Sequence, residues 1–206
     1  AVLPAARLGA RPWSLPIGIG ERDLRPTALA LYEGEHALIA GPGRSGRSTA
    51  LCALASRAHA AGAVVLAVAG SRSPLATDEH IDRCFAPDDV TEAVAEVAPR
   101  AAPVLLLIDD AEGVADPTGV LGALLDERHA HLAVIAAGRA DALRTAYGHW
   151  TRQLRRSQVG LLLAPDVDLD GELVGVALPR RASVALGAGR GWLVVGGEVQ
   201  VVQVAT

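Results

Sequence analysis

Lysine and methionine do not occur in this chain, and all 19 of its basic residues are arginine. Any site that needs a side-chain cation must therefore use a guanidinium, and the pattern reads as GC-rich coding rather than selection at one position. Aromatic residues supply only 3% of the chain against 50% hydrophobic residues in all. The core is predicted to be Val, Leu, Ile and Ala, and 206 residues are enough for one α/β domain without staples. The only two cysteines, Cys52 and Cys84, stand far apart and fit no metal or redox spacing. Cys52 is read as a small core residue, with a reducing cytosolic setting as the default. His36, His80, His129, His131 and His149 likewise show no metal-ligand spacing. No apolar run approaches the roughly 18 residues of a membrane helix, and no signal segment opens the chain. A net charge of −4 argues against a nucleic-acid surface spread over the whole molecule. With Ala1 first and no Met, the chain is read as processed or as a piece of a longer protein.

What is present is an alternation of short apolar runs and amphipathic stretches. Residues 1–20, with Pro4, Pro12 and Pro16, read as an extended lead-in. "HALIAG" (36–41), "AVVLAVAG" (63–70), "PVLLLIDDAEG" (103–113) and "HLAVIAAGR" (131–139) read as buried strands. Helices are expected over about 48–61 (stopped by Gly62), 89–97, 118–129 and 140–154, the last with Trp150 inward. Strands alternating with helices imply a parallel sheet covered on both faces. The last fifty residues change character. "GLLLAP", "LVGVALP", "GWLVVGGE" and "VQVVQVA" read as extra strands at a sheet edge. The fold class expected is a RecA-like, three-layer α/β fold with a mostly parallel central sheet. The domain division expected is a lead-in over 1–14 and one domain over 15–206.

Between the first strand and first helix lies Gly41-Pro42-Gly43-Arg44-Ser45-Gly46-Arg47-Ser48, followed by Thr49. This matches the phosphate-loop pattern G-x-x-x-x-G-K-[ST] except that Arg47 stands for lysine. The glycines let successive backbone N–H groups turn around phosphates, and the helix start adds its positive end. Ser48 is placed to offer its hydroxyl to Mg²⁺. Arg47 supplies charge, but its planar fork is larger than an ammonium, so binding should survive better than the geometry of transfer.

Such a site needs an acid at the end of a nearby strand. "VLLLIDD" offers Asp109 for the metal side. Asp110 stands where a water-activating glutamate is common, one methylene short, or else caps the following helix. Glu112 follows two residues on. The strand order predicts that the 131–139 strand lies beside the loop strand, yet its end, "AAGR", lacks a polar sensor. Arg139, Arg155 and Arg156 are either cations for a neighbouring subunit or solvated surface charges.

Several segments in order, "LPIGIGERDLRPTAL", "HALIAGPGRSGRSTAL", "LLLIDDAEGV", "LRRSQVGLLLAP", "LVGVALPRR" and "GRGWLVVGGEVQVVQVA", resemble modules of FtsK/SpoIIIE-type P-loop ATPases. The resemblance is closest to the last, degenerate modules of EccC-like type VII secretion motors and covers about residues 15–205. It implies a RecA-like fold, tandem modules, ring assembly and membrane anchoring elsewhere in a longer, otherwise cytoplasmic protein. It implies ATP and Mg²⁺ held by Gly41, Gly43, Arg44, Ser45, Gly46, Arg47, Ser48, Thr49 and Asp109. It implies other ATPase modules of the same chain or ring as partners, and a secreted substrate's signal sequence, with DNA disfavoured. Arg47, Asp110 and the apolar sensor end set hydrolysis apart from binding. The readings that follow are a nucleotide-binding module of weak or absent turnover, an active DNA-translocating ATPase module, or a nucleotide-free docking module.

Overall fold

The computed structural model describes residues 3–9, 12–97, 102–180 and 186–205. Ten strands form one sheet in the order β2-β1-β10-β9-β8-β3-β7-β6-β4-β5. In chain order these are β1 Trp13–Gly20, β2 Pro26–Leu31, β3 Ala37–Gly41, β4 Val64–Val68, β5 Arg83–Phe85, β6 Val104–Ile108, β7 Leu132–Arg139, β8 Gly160–Leu163, β9 Arg190–Val195 and β10 Glu198–Val204. From β5 to β8 every pairing is parallel, and from β8 through β9, β10 and β1 to β2 every pairing is antiparallel. The α/β, RecA-like class read from the sequence is the class observed.

The parallel half follows from unbroken apolar runs. Successive residues of β6 face opposite sides, so Val104, Leu106 and Ile108 enter one core while Leu105 and Leu107 enter the other. Helix α1 (Arg47–Ala60) covers the second core with Ala50, Leu51, Leu54 and Ala58. Helices α2 (Val90–Val97) and α3 (Val120–Asp126) pack over the first. The core is largely Val, Leu, Ile and Ala, as the composition requires. Cys52, on α1, is half-buried against it.

Three expectations are corrected. Residues 13–20 form β1 rather than a lead-in, and β2 and the short β5 were not foreseen. Trp13, Leu15, Ile17 and Ile19 do alternate, but Pro16 and Gly18 obscure the pattern. The register shifts between those two residues, and at Gly18 the backbone of Gln203 on β10 approaches too closely for any side chain. "LVGVALP" is no strand. A 3₁₀ turn over Asp170–Val174 stops at Gly175, whose φ is 69°. The helix expected over 140–154 is two, α4 (Ala140–Thr145) and α5 (Thr151–Leu154), broken around Gly148 at φ 77°. Trp150 is buried as expected. Of the stretch read as a lead-in, residues 1, 2, 10 and 11 lie outside the described residues.

Candidate functional site

Strand β3 ends at Gly41 and α1 begins at Arg47, so the glycine-rich segment forms the strand-to-helix loop the motif requires. Gly46 caps α1 with φ 101°, a conformation that suits glycine, and the backbone nitrogen of Gly189 stands 3.2 Å from where its Cβ would be. Ser45 N–H donates to Pro42 O at 3.3 Å, and Ser45 O accepts from Gly189 N at 2.8 Å. Gly189 is itself held by Val204 N (2.8 Å) and Gln203 Nε2 (3.0 Å), so β10 braces the loop from behind. Pro42, Gly43, Arg44 and Thr49 are exposed, Ser48 is half-buried, and Ser45 is buried with its Oγ unpartnered among the described residues.

Arg47 folds back onto its own loop. Its Nη1 donates to Gly41 O and to Pro42 O, both at 2.7 Å, and its Nη2 donates to Asp110 Oδ1 at 3.2 Å. The side chain is only 10% exposed. A lysine ammonium has no fork with which to hold both sets of acceptors at once.

The acid strand comes from β6, with β7 lying between it and β3. This is the neighbour relation expected for the 131–139 strand. Asp109 is buried; its Oδ2 accepts from Ser73 Oγ at 2.6 Å, while Oδ1 is buried with no partner among the described residues. A carboxylate with one oxygen anchored and the other unpartnered is the kind of donor that suits a hydrated Mg²⁺. Two orphaned oxygens, Ser45 Oγ and Asp109 Oδ1, thus fit a polar ligand at this end of the sheet.

Asp110 is in the left-handed region (φ 47°, ψ 48°) at the start of the 3₁₀ turn Ala111–Gly113, and its side chain makes no capping bond. It turns instead to Arg47, with its side chain 71% exposed. Glu112 goes elsewhere. Its Oε2 accepts from Arg139 N at 3.1 Å at the end of β7, so a carboxylate sits where a polar sensor was sought. Sequence reasoning missed Ser73, Gly189 and this use of Glu112; the small residue at Gly138 is the only trace of the last.

The other candidate cations separate. Arg156 pairs with Asp126 at the surface at 2.7 Å. Arg155 is half-buried, donates to Leu143 O, and has its pKa lowered by burial, so it is structural rather than solvated. Arg139 is 54% exposed beside the loop. Among the described residues no group of His, Cys, Asp and Glu could by itself hold a metal ion. Nor is any helix there long and apolar enough to cross a membrane.

No protein-family model and no curated protein sequence matches the chain. Solved structures do. The cytoplasmic domain of EssC is similar at 19% identity and a TM-score of 0.74, over 94% of this chain and 43% of that one. EssC (ATPases 2 and 3) from Geobacillus thermodenitrificans is similar at 18% identity and a TM-score of 0.73, over 98% of this chain and 42% of that one. Thermomonospora curvata EccC (ATPases 2 and 3), solved in complex with a signal sequence peptide, is similar at 23% identity and a TM-score of 0.67, over 93% and 40%. The chain therefore has the fold of the ATPase domains in these structures and spans less than half the length of each.

Proposed function

We propose that this chain is a nucleotide-binding module of a multi-domain, EccC-like type VII secretion motor, with weak or absent hydrolysis. The observation that carries the reading is the state of Arg47. What supports the binding half of the reading is a strand–loop–helix with Gly41, Gly43, Ser45, Gly46, Ser48 and Thr49, and the acid Asp109, whose buried Oδ1 has no partner among the described residues. The parts that would help transfer phosphate are engaged with each other, because Arg47 is bound to Gly41 O, Pro42 O and Asp110.

In this reading the loop's backbone N–H groups and the start of α1 bind the phosphates of ATP. Ser48 and Asp109 stand on the metal side, and Mg²⁺, when bound, neutralises charge on the phosphate oxygens. Asp110 is one methylene shorter than the usual glutamate and is drawn to Arg47. A base withdrawn by about an ångström can cost on the order of 10² in rate. The fold of tandem ATPases 2 and 3 in the similar chains favours other ATPase modules of the same chain or ring as partners. The peptide complex of EccC favours a secreted substrate's signal sequence as a further one. On the same analogy the module works in the cytoplasm as part of a membrane-anchored protein.

Titration with a fluorescent ATP analogue should give saturable binding in the micromolar range, with phosphate release near background. No binding at millimolar nucleotide would sink the reading in favour of a docking module. Turnover above about one per second, an ordinary enzyme rate, would favour an active translocating ATPase.

A further inference from the structure

Strands β4 and β6 end level with each other: Val68 and Ile108 are their last register partners, and Asp109 N donates to Val68 O at 3.0 Å. β4 lies on the side of β6 away from β7 and the loop strand β3. The chain leaves β4 in a turn, with Ser73 N donating to Gly70 O at 2.9 Å, and enters a 3₁₀ turn over Pro74–Thr77. Pro74 opens that turn, and the fully buried Leu75 pins it to the core that α1 covers. Ser73 is thereby held from both sides.

The Ser73 hydroxyl has one proton, and it is committed. Leu75 N donates to Ser73 Oγ at 3.3 Å, while Ser73 Oγ donates to Asp109 Oδ2 at 2.6 Å, the length of a strong O–H···O bond. Capping the turn accounts for the longer of these two bonds alone. The last torsion of an aspartate is broad, and the backbone bond to Val68 leaves it free. The bond from Ser73 selects one setting of it. That setting uses Oδ2 and leaves Oδ1, in a residue only 2% exposed, with no partner among the described residues. A buried acceptor left open is costly, and most find a partner. A rigid turn that holds the acid in that setting suits a site completed by a ligand.

We propose that Ser73 is the positioning residue of the metal side, fixing the Asp109 carboxyl so that Oδ1 stays available to a hydrated Mg²⁺ that accompanies the nucleotide. This rests on the nucleotide-binding reading above, and Ser73 acts through Asp109 rather than on the nucleotide. Groups that hold a metal's ligand from behind typically set metal affinity by about 10- to 100-fold.

Titrating ATP into the chain with Mg²⁺, and again with EDTA, gives two dissociation constants whose ratio is the metal's contribution. In the wild-type chain that ratio should favour Mg²⁺. Ser73→Ala should shrink it about tenfold or more while metal-free ATP binds as before. Ser73→Thr, which keeps the hydroxyl, should retain most of it. Ser73→Cys, close in shape but a poor donor, should fall with alanine, and it carries the test should the alanine variant fail to fold. In an Asp109→Asn background Ser73→Ala should change the ratio little, because the group it acts through is gone. Equal loss of both affinities in Ser73→Ala, or no loss, would overturn the proposal and leave Ser73 as a cap. A wild-type chain that bound ATP equally with and without Mg²⁺ would overturn it too, with nucleotide binding intact. A wild-type chain that bound ATP under neither condition would overturn the binding reading itself and this inference with it.

Discussion

The carboxylate of Glu112 fills the space that a side chain at Gly138 would take: a Cβ there would lie 2.5 Å from Glu112 Oε2 and 3.0 Å from Leu143 Cδ1. The apolar end of β7 is therefore a receptacle for a neighbouring acid. Gly138→Ala should cost about 1–3 kcal/mol, as overpacking does, read as a lowered urea midpoint with unchanged slope. Adding Glu112→Ala should return part of that loss. A neutral Gly138→Ala would show that Glu112 moves aside freely.

On the proposed nucleotide-binding reading, Asp110, which accepts from Arg47 Nη2 at 3.2 Å, would compete with phosphate for that guanidinium. Removing it in Asp110→Ala should tighten ATP binding several-fold. The cause is separable from simple loss of a negative charge by a double-mutant cycle. In an Arg47→Ala background the same substitution should do little. Equal tightening in both backgrounds would mean that Asp110 acts on the nucleotide directly.

Restoring lysine alone should not restore turnover. Arg47→Lys is expected to stay near background in a phosphate-release assay, because Asp110 is still too short. Arg47→Lys with Asp110→Glu should rise at least about tenfold above either single change, a barrier difference of about 1.4 kcal/mol. Full recovery by Arg47→Lys alone would show that the aspartate is an adequate base.

His36, at the start of the loop strand, is buried, accepts from Val134 N at 3.3 Å through Nδ1, and has its pKa pushed down to about 4, chiefly by burial. The unfolded chain protonates this histidine near its ordinary 6.5, and the folded chain does not until about 4. Its contribution is therefore full above pH 6.5 and falls as pH drops towards 4, by about 3 kcal/mol in total. His149, lowered by burial too, acts in the same direction. Urea titrations between pH 7 and 5 should show this loss, and His36→Leu should flatten it. A wild-type stability that did not change over that range would refute the buried neutral imidazole.

Cys52 has its thiol pushed up to about 12, first by burial and then by Asp78, and burial raises Cys84 as well. Alkylation at pH 8 should be slow at both in the native chain and fast in denaturant, since only the thiolate reacts. Rapid native labelling of Cys52 would contradict its packing.

The loop, its helix, the acid strand and the strand between them were legible because each is written in consecutive residues. "LIAGPGRSGRST" and "VLLLIDD" carry their own geometry. What was hidden depends on segments far apart in the chain. β1 is a strand because β10 lies against it, and its Pro16 and Gly18 make sense only at that bulge and that close approach. Ser73 on Asp109, Glu112 under Gly138 and Gly189 on Ser45 are likewise meetings of distant residues. The misread strand over 173–179 is overridden by the turn that Asp170 ties to Asp166 N and Arg144.

The bond from Gly189 N–H to Ser45 O has a consequence for the order of assembly. Ser45 is made well before its brace, since Gly189 lies far along the chain and depends in turn on Gln203 and Val204. A growing chain can form β3 and α1 long before this clasp exists, and contacts between such distant residues close slowly. The phosphate loop takes its final shape only when the last strand has docked. A chain cut short before Gly189 would thus hold a loop without its clasp.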